Sequence, residues 1–492
     1  MTQTKPNILW YCTDQQRYDT IRCLGNQHIN TPNLDRLAGA GVAFTRAYCQ
    51  SPICTPSRAS FLTGRYPNTT HVHRNGNARF PEAEKLVTSL FSEAGYRCGL
   101  VGKLHLSSAA EGVEGRVDDG YESFAYSHHP MPPSDPQNNA YHKWLIEEKG
   151  QCPETLYAST TDGGAAAFPR EFHQTTWATE QAIRFIDAAP DRNQPWLLSV
   201  NVFDPHPPFD PPAEYAAKYD PSSLPEPLFR PSDIERQKTF SDVSQQSTTA
   251  SDPTIQDDNR SADHGSPTHP PKSFNGKKIK AAYYAMIELI DDEFGRLVDH
   301  LEQSGQLENT LIVFHSDHGE LLGDHGLLYK GCRFFEGLVH VPLMFAWQGR
   351  FVDNLTSEAL VELVDIAPTL LEAAGLPLPN YMQGKSLVPL LEGKVPASHH
   401  KKTVICEFND ALGSNAAPRP THATMSFDGR YKMVIYHGMD LGELFDLHED
   451  PGEFTNLWNE SQYLDLKYER LIAHIDAVMA ASWAGIERKG KY

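Results

Sequence analysis

No stretch of this 492-residue chain approaches the roughly 18 consecutive apolar residues that a membrane-spanning helix needs, which excludes a helical membrane protein. It also lacks any dense run of lysine and arginine. With a formal net charge of -20, its field repels phosphate backbones, and nucleic acid is excluded as a partner. Cysteine is sparse: eight residues, at 12, 23, 49, 54, 98, 152, 332 and 406, with no Cys-x-x-Cys pair and no zinc-like spacing. In so long a chain these read as mostly reduced thiols. The first residues run straight into the apolar segment 8–12 without the basic and long apolar regions of a secretory leader, so a cytoplasmic location is expected.

What the chain does contain is enough apolar side chain, 40% of residues, to bury a large core. Short, nearly continuous apolar runs at 7–13, 98–101, 196–203, 310–316 and 341–347 read as strands covered on both faces. Tyr283, Met286, Ile290, Phe294, Leu297 and Leu301 recur at three- or four-residue steps and predict one long helix over 278–303. Further helices are expected at 84–94, 175–188 and 366–374. The alternation predicts an α/β fold, a large mostly parallel sheet flanked by helices. Ser, Thr, Gln, Asp and Pro dominate 241–271, inside an excursion over about 211–277 that reads as a solvated loop in preference to a lid. Short strands at 403–408, 422–427, 431–436 and 443–446, then a helix at 461–480, predict a smaller C-terminal antiparallel sheet plus helix. The expected division is 1–399 and 400–492.

The sharpest local signal is Cys54-Thr55-Pro56-Ser57-Arg58, continuing to Gly64. Thr55 is a good N-cap, Pro56 suits the first helical position, and Gly64 can end the helix in a left-handed conformation. Cys54 then faces the positive end of a helix, where an anion is favoured, with Arg58 about one turn on. Taken alone, the pattern is equally well a buried structural cysteine before a capped helix. Asp14, Lys103 with His105, His206, and Asp317 with His318 each follow an expected strand. In open α/β sheets, ligands bind in the crevice outside the carboxyl ends of the strands. Singly, each of these residues has a plainer reading as a turn or surface residue; gathered in one crevice, they make a site.

Cys54-x-Pro56-x-Arg58 resembles the sulfatase signature. Residues 7–14, Thr31-Pro32-Asn33-Leu34-Asp35 with 41–44, Gly102-Lys103-Leu104-His105, Asp204-Pro205-His206-Pro207-Pro208-Phe209, Ser316-Asp317-His318-Gly319 and 446–453 are similar to further blocks of that family, in family order. The resemblance to formylglycine-dependent sulfatases of the alkaline phosphatase superfamily therefore spans nearly the whole chain. It implies an alkaline-phosphatase-like catalytic domain over 1–399. It also implies that Cys54 is oxidised to Cα-formylglycine by a formylglycine-generating or anaerobic sulfatase-maturing enzyme. One divalent metal is implied on Asp14, Gln15, position 54, Asp317 and His318. This oxygen-rich set with one imidazole suits Ca²⁺ first, with Mn²⁺ or Mg²⁺ as alternatives.

Arg58, Lys103 and Lys330 are implied to neutralise the ester's oxygens, His206 to protonate the leaving alcohol with Lys330 as partner, and His105 to accept the final proton. Asn75, His73 and Arg74 are candidates to bind substrate, and Arg419, His422 and Arg430 to shape the leaving-group side; His71 belongs to the same donor-rich loop. Many sulfatases carry Asp-Asp where this chain has Asp14-Gln15, and Asn where it has His318. In both choices it is similar to phosphonate monoester hydrolases and choline sulfatases. The implied substrate is a small anionic sulfate ester, either a sulfated sugar or a short oligosaccharide, with aryl sulfates as surrogates. The alternatives are a phosphonate monoester or phosphodiester hydrolase on the same scaffold, an arylsulfatase, and a noncatalytic binding protein with unmodified Cys54. Homo-oligomerisation is left open.

Overall fold

In β1 (Asn7–Thr13), alternate side chains enter two separate cores: Ile8, Trp10 and Cys12 go to one side, Leu9 and Tyr11 to the other. That two-sided burial is why the strand reads as a continuous apolar run. The computed structural model describes residues 5–109, 113–132, 137–158, 169–188, 194–243, 250–255, 274–410 and 420–483. Besides β1, the large sheet holds β2 (Val42–Phe44), β4 (Arg97–Gly102), β5 (Ser123–Tyr126), β6 (Trp196–Asn201), β7 (Thr310–Ser316), β8 (Leu343–Ala346) and β9 (Leu355–Ser357). β3 (Ala47–Tyr48) and β10 (Val361–Glu362) pair separately. The order across the large sheet is β5-β4-β6-β1-β7-β8-β2-β9. Every pairing in it is parallel except those of β8 with β7 and β2. The expected α/β architecture is present.

The expected long helix is Gly276–Gln303, its start capped by the Asn275 side chain accepting from the Lys278 N–H. Together with Gln174–Asp187 it covers one face of the sheet. Val87–Glu93 and Ile366–Ala373 cover the other. The excursion over 211–277 departs from a plain solvated loop. Its described part includes the helices Ala213–Ala216 and Ser232–Lys238, and Tyr215, Phe240, Val243 and Phe274 are buried in the cores. A few aromatic side chains in a polar sequence are enough to anchor it. Residues 244–249 and 256–273 of the polar tract lie outside the described residues.

The C-terminal strands β11 (Val404–Asp410), β12 (Thr421–Phe427), β13 (Tyr431–Tyr436) and β14 (Leu441–Asp446) form the expected antiparallel sheet in simple sequence order. Helix Leu464–Ala481 packs on it, with the buried His474 ring 2.8 Å from both the Thr424 and Ser426 hydroxyls. β11 docks on the main sheet's side of the chain, where the Glu407 N–H donates to the Gln50 carbonyl at 2.8 Å. The Glu407 carboxylate is buried there and accepts the Asn68 N–H at 3.2 Å.

Burial, and then Glu362, push the Glu407 carboxyl from its ordinary 4.5 up to about 7. The folded chain therefore holds a proton that the unfolded chain releases. Its contribution is complete below pH 4.5 and is lost as pH rises through about 7. Glu407→Gln is accordingly expected to be more stable than the native chain at pH 8 by roughly 1–3 kcal/mol in urea unfolding, with the difference vanishing below pH 4.5.

Candidate active site

The carboxyl ends of β1, β4, β6 and β7 deliver Asp14, Lys103, His206 and Asp317 to one crevice. Backbone bonds tie the strand ends together: the Asp14 N–H donates to the Asp204 carbonyl at 3.2 Å, the Lys103 N–H to that of Asn201 at 3.0 Å, and the Asp317 N–H to that of Thr13 at 3.2 Å. The residue before Lys103 is Gly102, at φ +98°, where an added Cβ would lie 2.0 Å from the Asn201 carbonyl oxygen. Only glycine lets β4 turn out of the sheet so close to β6.

The helix carrying the cysteine motif runs Cys54–Thr63, two residues earlier than Thr55 as N-cap requires. Its N-cap is Ile53, which has no capping side chain. The task falls to Asn75, whose side-chain oxygen accepts the Thr55 N–H at 2.9 Å from a neighbouring loop. A cap supplied from twenty residues away leaves no mark in the local sequence. Gly64 ends the helix at φ +70°, as expected. All ten residues of the helix are buried, and the Ser57 hydroxyl donates to the Asp317 carbonyl at 2.6 Å.

Around the Cys54 sulfur the charges alternate closely. Arg58 bridges two carboxylates, with Nη2 3.1 Å from Asp14 and Nε 2.9 Å from Asp317, all three side chains fully buried. Lys103 Nζ is 2.6 Å from Asp14 and 3.8 Å from the sulfur. Lys330 Nζ is 2.9 Å from the sulfur and 2.8 Å from the Gln15 side-chain oxygen. Burial alone would raise Asp14, but Lys103 and Arg58 hold it well below the usual carboxylate range. Burial and Asp14 push the Cys54 thiol up, yet Lys103, Lys330 and His318 bring it down to about 7. Three fixed cations against Asp14 and Asp317 leave the crevice positive. An anion is therefore welcome here despite the acidic surface, which salt screens beyond about 10 Å.

Asp14, Cys54, Asp317 and His318 place one donor atom each within 4.8 Å of one another. His318 Nδ1 donates to the Gly319 carbonyl at 2.8 Å, which turns Nε2 toward the sulfur at 3.2 Å. Burial disfavours a proton on His318, but Asp317 and Cys54 raise it to about 9, marking Nε2 as a place where positive charge is wanted. Gln15 is held with its amide nitrogen on Glu320 and its oxygen on Lys330. Two carboxylates, an amide oxygen and an oriented imidazole fit a hard divalent ion.

The structure thus brings together Asp14, Gln15, Cys54, Arg58, Lys103, Asp317, His318 and Lys330. His206 lies beside them, its Nδ1 donating to the Pro207 carbonyl at 2.7 Å and its ring 4.5 Å from Phe203. Burial and then Lys330 keep it neutral. His105, at φ +58°, is buried and lowered by burial and then Lys103. His73 is half-buried beside His71, and Arg74 pairs with Asp410 at 3.3 Å, so that loop leans on the small sheet. His422 acts electrostatically on His73; Arg430 is exposed and pairs with Asp446 at 2.7 Å. Arg419 lies outside the described residues.

Three supporting residues escape a reading of the sequence. Glu320 fixes the Gln15 amide. Glu114 accepts the backbone N–H groups of His105 at 2.6 Å, Ser107 at 3.1 Å and Leu106, holding that turn open. His128 stands against His105, ring centroids 4.5 Å apart. It follows β5 as Lys103 follows β4, but β5 has four residues, three of them half-buried, and leaves no continuous apolar run in the sequence.

Comparison with known proteins agrees with this geometry. Residues 6–376 match the family model described as sulfatase, and 323–480 match the one described as N-sulphoglucosamine sulphohydrolase, C-terminal. An arylsulfatase of Clostridium perfringens is 30% identical over 475 residues, covering 93% of this chain and 91% of its own. An N-acetylglucosamine-6-O-sulfatase of Bacteroides thetaiotaomicron is 26% identical, covering 93% of this chain and 84% of its own. The crystal structure of a phosphonate monoester hydrolase of Agrobacterium radiobacter superposes with a TM-score of 0.79 at 26% identity, covering 97% of this chain and 96% of that one.

Proposed function

The chain belongs to the sulfatase family, and from that premise we propose that it hydrolyses a sulfate monoester of a sugar or short oligosaccharide at position 54. The observation that carries this reading is the ring of Arg58, Lys103 and Lys330 around a buried Cys54 sulfur, backed by Asp14, Asp317 and His318. When Cys54 is oxidised to Cα-formylglycine, its hydrate supplies two geminal hydroxyls, one to attack sulfur and one whose deprotonation expels sulfate as the aldehyde returns. A divalent metal held by Asp14, Gln15, Asp317, His318 and position 54 would acidify the attacking hydroxyl and offset charge.

The chain's own residues do the rest. Arg58, Lys103 and Lys330 bind the ester oxygens and spread their charge. His206 Nε2 faces the crevice because Nδ1 is spent on Pro207; bare at rest, it takes up a proton from solvent when the anionic substrate offsets burial, Lys330 and Lys103, and passes that proton to the leaving alkoxide. Lys330, whose proton is held more firmly than usual by Cys54 and Asp14 against burial, is the second donor in that step. His105, neutral at rest, takes the proton released on elimination.

Intact-peptide mass spectrometry tests the premise: the peptide containing Cys54 should be lighter by the difference between –CH2SH and –CHO in protein from its native host. Chelation supplies an independent check. Dialysis against a strong chelator is expected to lower turnover at least about tenfold, with Ca²⁺, Mn²⁺ and Mg²⁺ restoring it unequally. Full turnover without any divalent ion would remove the metal from the mechanism. A second reading, phosphonate monoester hydrolysis, is favoured by Gln15 and His318 and by the fold shared with the Agrobacterium radiobacter enzyme. Side-by-side kcat/KM on 4-nitrophenyl sulfate and a phenylphosphonate monoester separates the two.

A further inference from the structure

We propose that the outer face of helix Leu464–Ala481 is the two-fold interface of a homodimer, in which this helix packs antiparallel against its own copy. Such an interface does not depend on the reaction at position 54. Among the described residues eleven large apolar side chains are exposed, and six of them lie on this helix or just past its end: Leu464, Tyr468, Ile472, Ile475, Met479 and Trp483, each between 44% and 65% exposed. The five within the helix fall in about 80° of arc at 3.6 residues per turn and make one continuous stripe. The opposite face is spent on the small sheet, where His474 and Ala481 are buried and Leu466 and Leu471 pack with Met433 and Leu444. The end bearing Trp483 is tied to the main domain. Its carbonyl accepts the Gln383 amide at 2.8 Å, and the Ala481 carbonyl accepts the Thr69 hydroxyl at 3.1 Å. The stripe is thus a fixed surface, and its exposure is built into the fold.

The spacing identifies the occupant. From Leu464 the steps are four, four, three, four and four residues, the same from either end. A two-fold axis between Ile472 and Ile475 sets Ile472 against Ile475 of the second copy, Tyr468 against Met479 and Leu464 against Trp483. Each contact is then made twice, as an isologous interface requires. The inner steps of four, three and four are also those of a paired-helix seam. At about 150–250 Å² for a large side chain, the exposed fractions give on the order of 700 Å² per copy and about 1,400 Å² for two, more than a monomer usually exposes and within the range of stable interfaces. Charge argues against a lipid surface. Asp465, Glu469 and Asp476 are exposed along the stripe, while Lys467 donates to the Trp458 carbonyl at 3.0 Å and Arg470 is held by Asp428, so an anionic membrane is repelled. In the antiparallel pair Glu469 comes toward Asp476 of the second copy. Arg470 also pairs with Glu469, and exposed charges cost little, so added salt should hold or tighten the dimer.

Sedimentation equilibrium at about 10 μM should give the native chain at least twice its 55.0 kDa mass. Ile472→Glu/Ile475→Glu places four carboxylates at the axis; it should halve that mass and raise the dissociation constant at least about a hundredfold, with an unchanged far-ultraviolet circular dichroism spectrum. A native chain that stays monomeric at about 50 μM, or a variant with the native dissociation constant, overturns the interface, as does a native dimer that falls apart in about 0.5 M salt. A native monomer that floats with phosphatidylglycerol vesicles overturns it in favour of lipid. The axis has its own test, free of any folding defect in the charged variant. Tyr468→Cys and Met479→Cys proteins, each also carrying Cys23→Ser and Cys152→Ser to remove the exposed thiols, are oxidised with copper phenanthroline alone and mixed. A disulfide-linked dimer should form in the mixture and not in either protein alone. No cross-link in the mixture, or equal cross-linking in either protein alone, refutes the antiparallel pair.

Discussion

Cys54→Ala protein is expected to lose sulfate-ester turnover by at least about 10⁴-fold in kcat/KM while keeping its fold. Cys54 is 1% exposed, and His318 and Lys330 both converge on its sulfur. Lys330 retains the Gln15 oxygen at 2.8 Å when the sulfur is gone, so no cation is stranded. The change removes little volume, and the urea midpoint should move by no more than about 1 kcal/mol in stability. Cys54→Ser sharpens the test. A plain hydroxyl can take the sulfuryl group but has no second hydroxyl with which to expel it. One equivalent of alcohol should be released, then turnover should stall with a sulfated protein visible by mass. A variant retaining more than a few per cent of native turnover would show that the nucleophile lies elsewhere.

The second large effect belongs to Arg58. Its guanidinium separates Asp14 from Asp317 in a volume with no exposed surface on any of the three side chains. Arg58→Ala leaves two buried carboxylates facing each other, and breaking a buried pair in this way typically costs about 3–5 kcal/mol. The loss should be largest after chelation, because a divalent ion on the same carboxylates would offset part of the repulsion. Arg58→Lys keeps the charge but cannot fork between two partners while also donating to the Lys103 carbonyl, as Nη1 does at 3.1 Å. It should recover stability more than rate. Urea unfolding with and without chelator, read beside kcat/KM, separates the two roles; wild-type stability in chelated Arg58→Ala would refute the bridge.

Much of this site could be read from the chain because its chemistry sits where strands end. β1 and β7 are long, buried on both faces and unbroken, so their continuous apolar runs place Asp14 and Asp317 at strand ends. The long helix Gly276–Gln303 declared itself by its apolar spacing. Short elements did not: β5 has four residues, three of them half-buried, and with it went His128. Residues that act through space also left no trace. Asn75 caps a helix it does not adjoin, and Glu114 and Glu320 look like ordinary surface acids until the fold buries them. The aromatic anchors of the polar excursion were present in the sequence but too widely spaced to form a pattern.

The complete burial of helix Cys54–Thr63 sets a chronology. Once Asn75 has closed over its first turn and Arg58 is locked between Asp14 and Asp317, no second protein can grasp the Cys54-to-Arg58 segment without unfolding the centre of the molecule. Any enzyme that rewrites position 54 must therefore reach it earlier, on the newly made and still open chain. On the proposed mechanism folding is the deadline for that edit: a molecule that closes first keeps its thiol inside and is expected to turn nothing over.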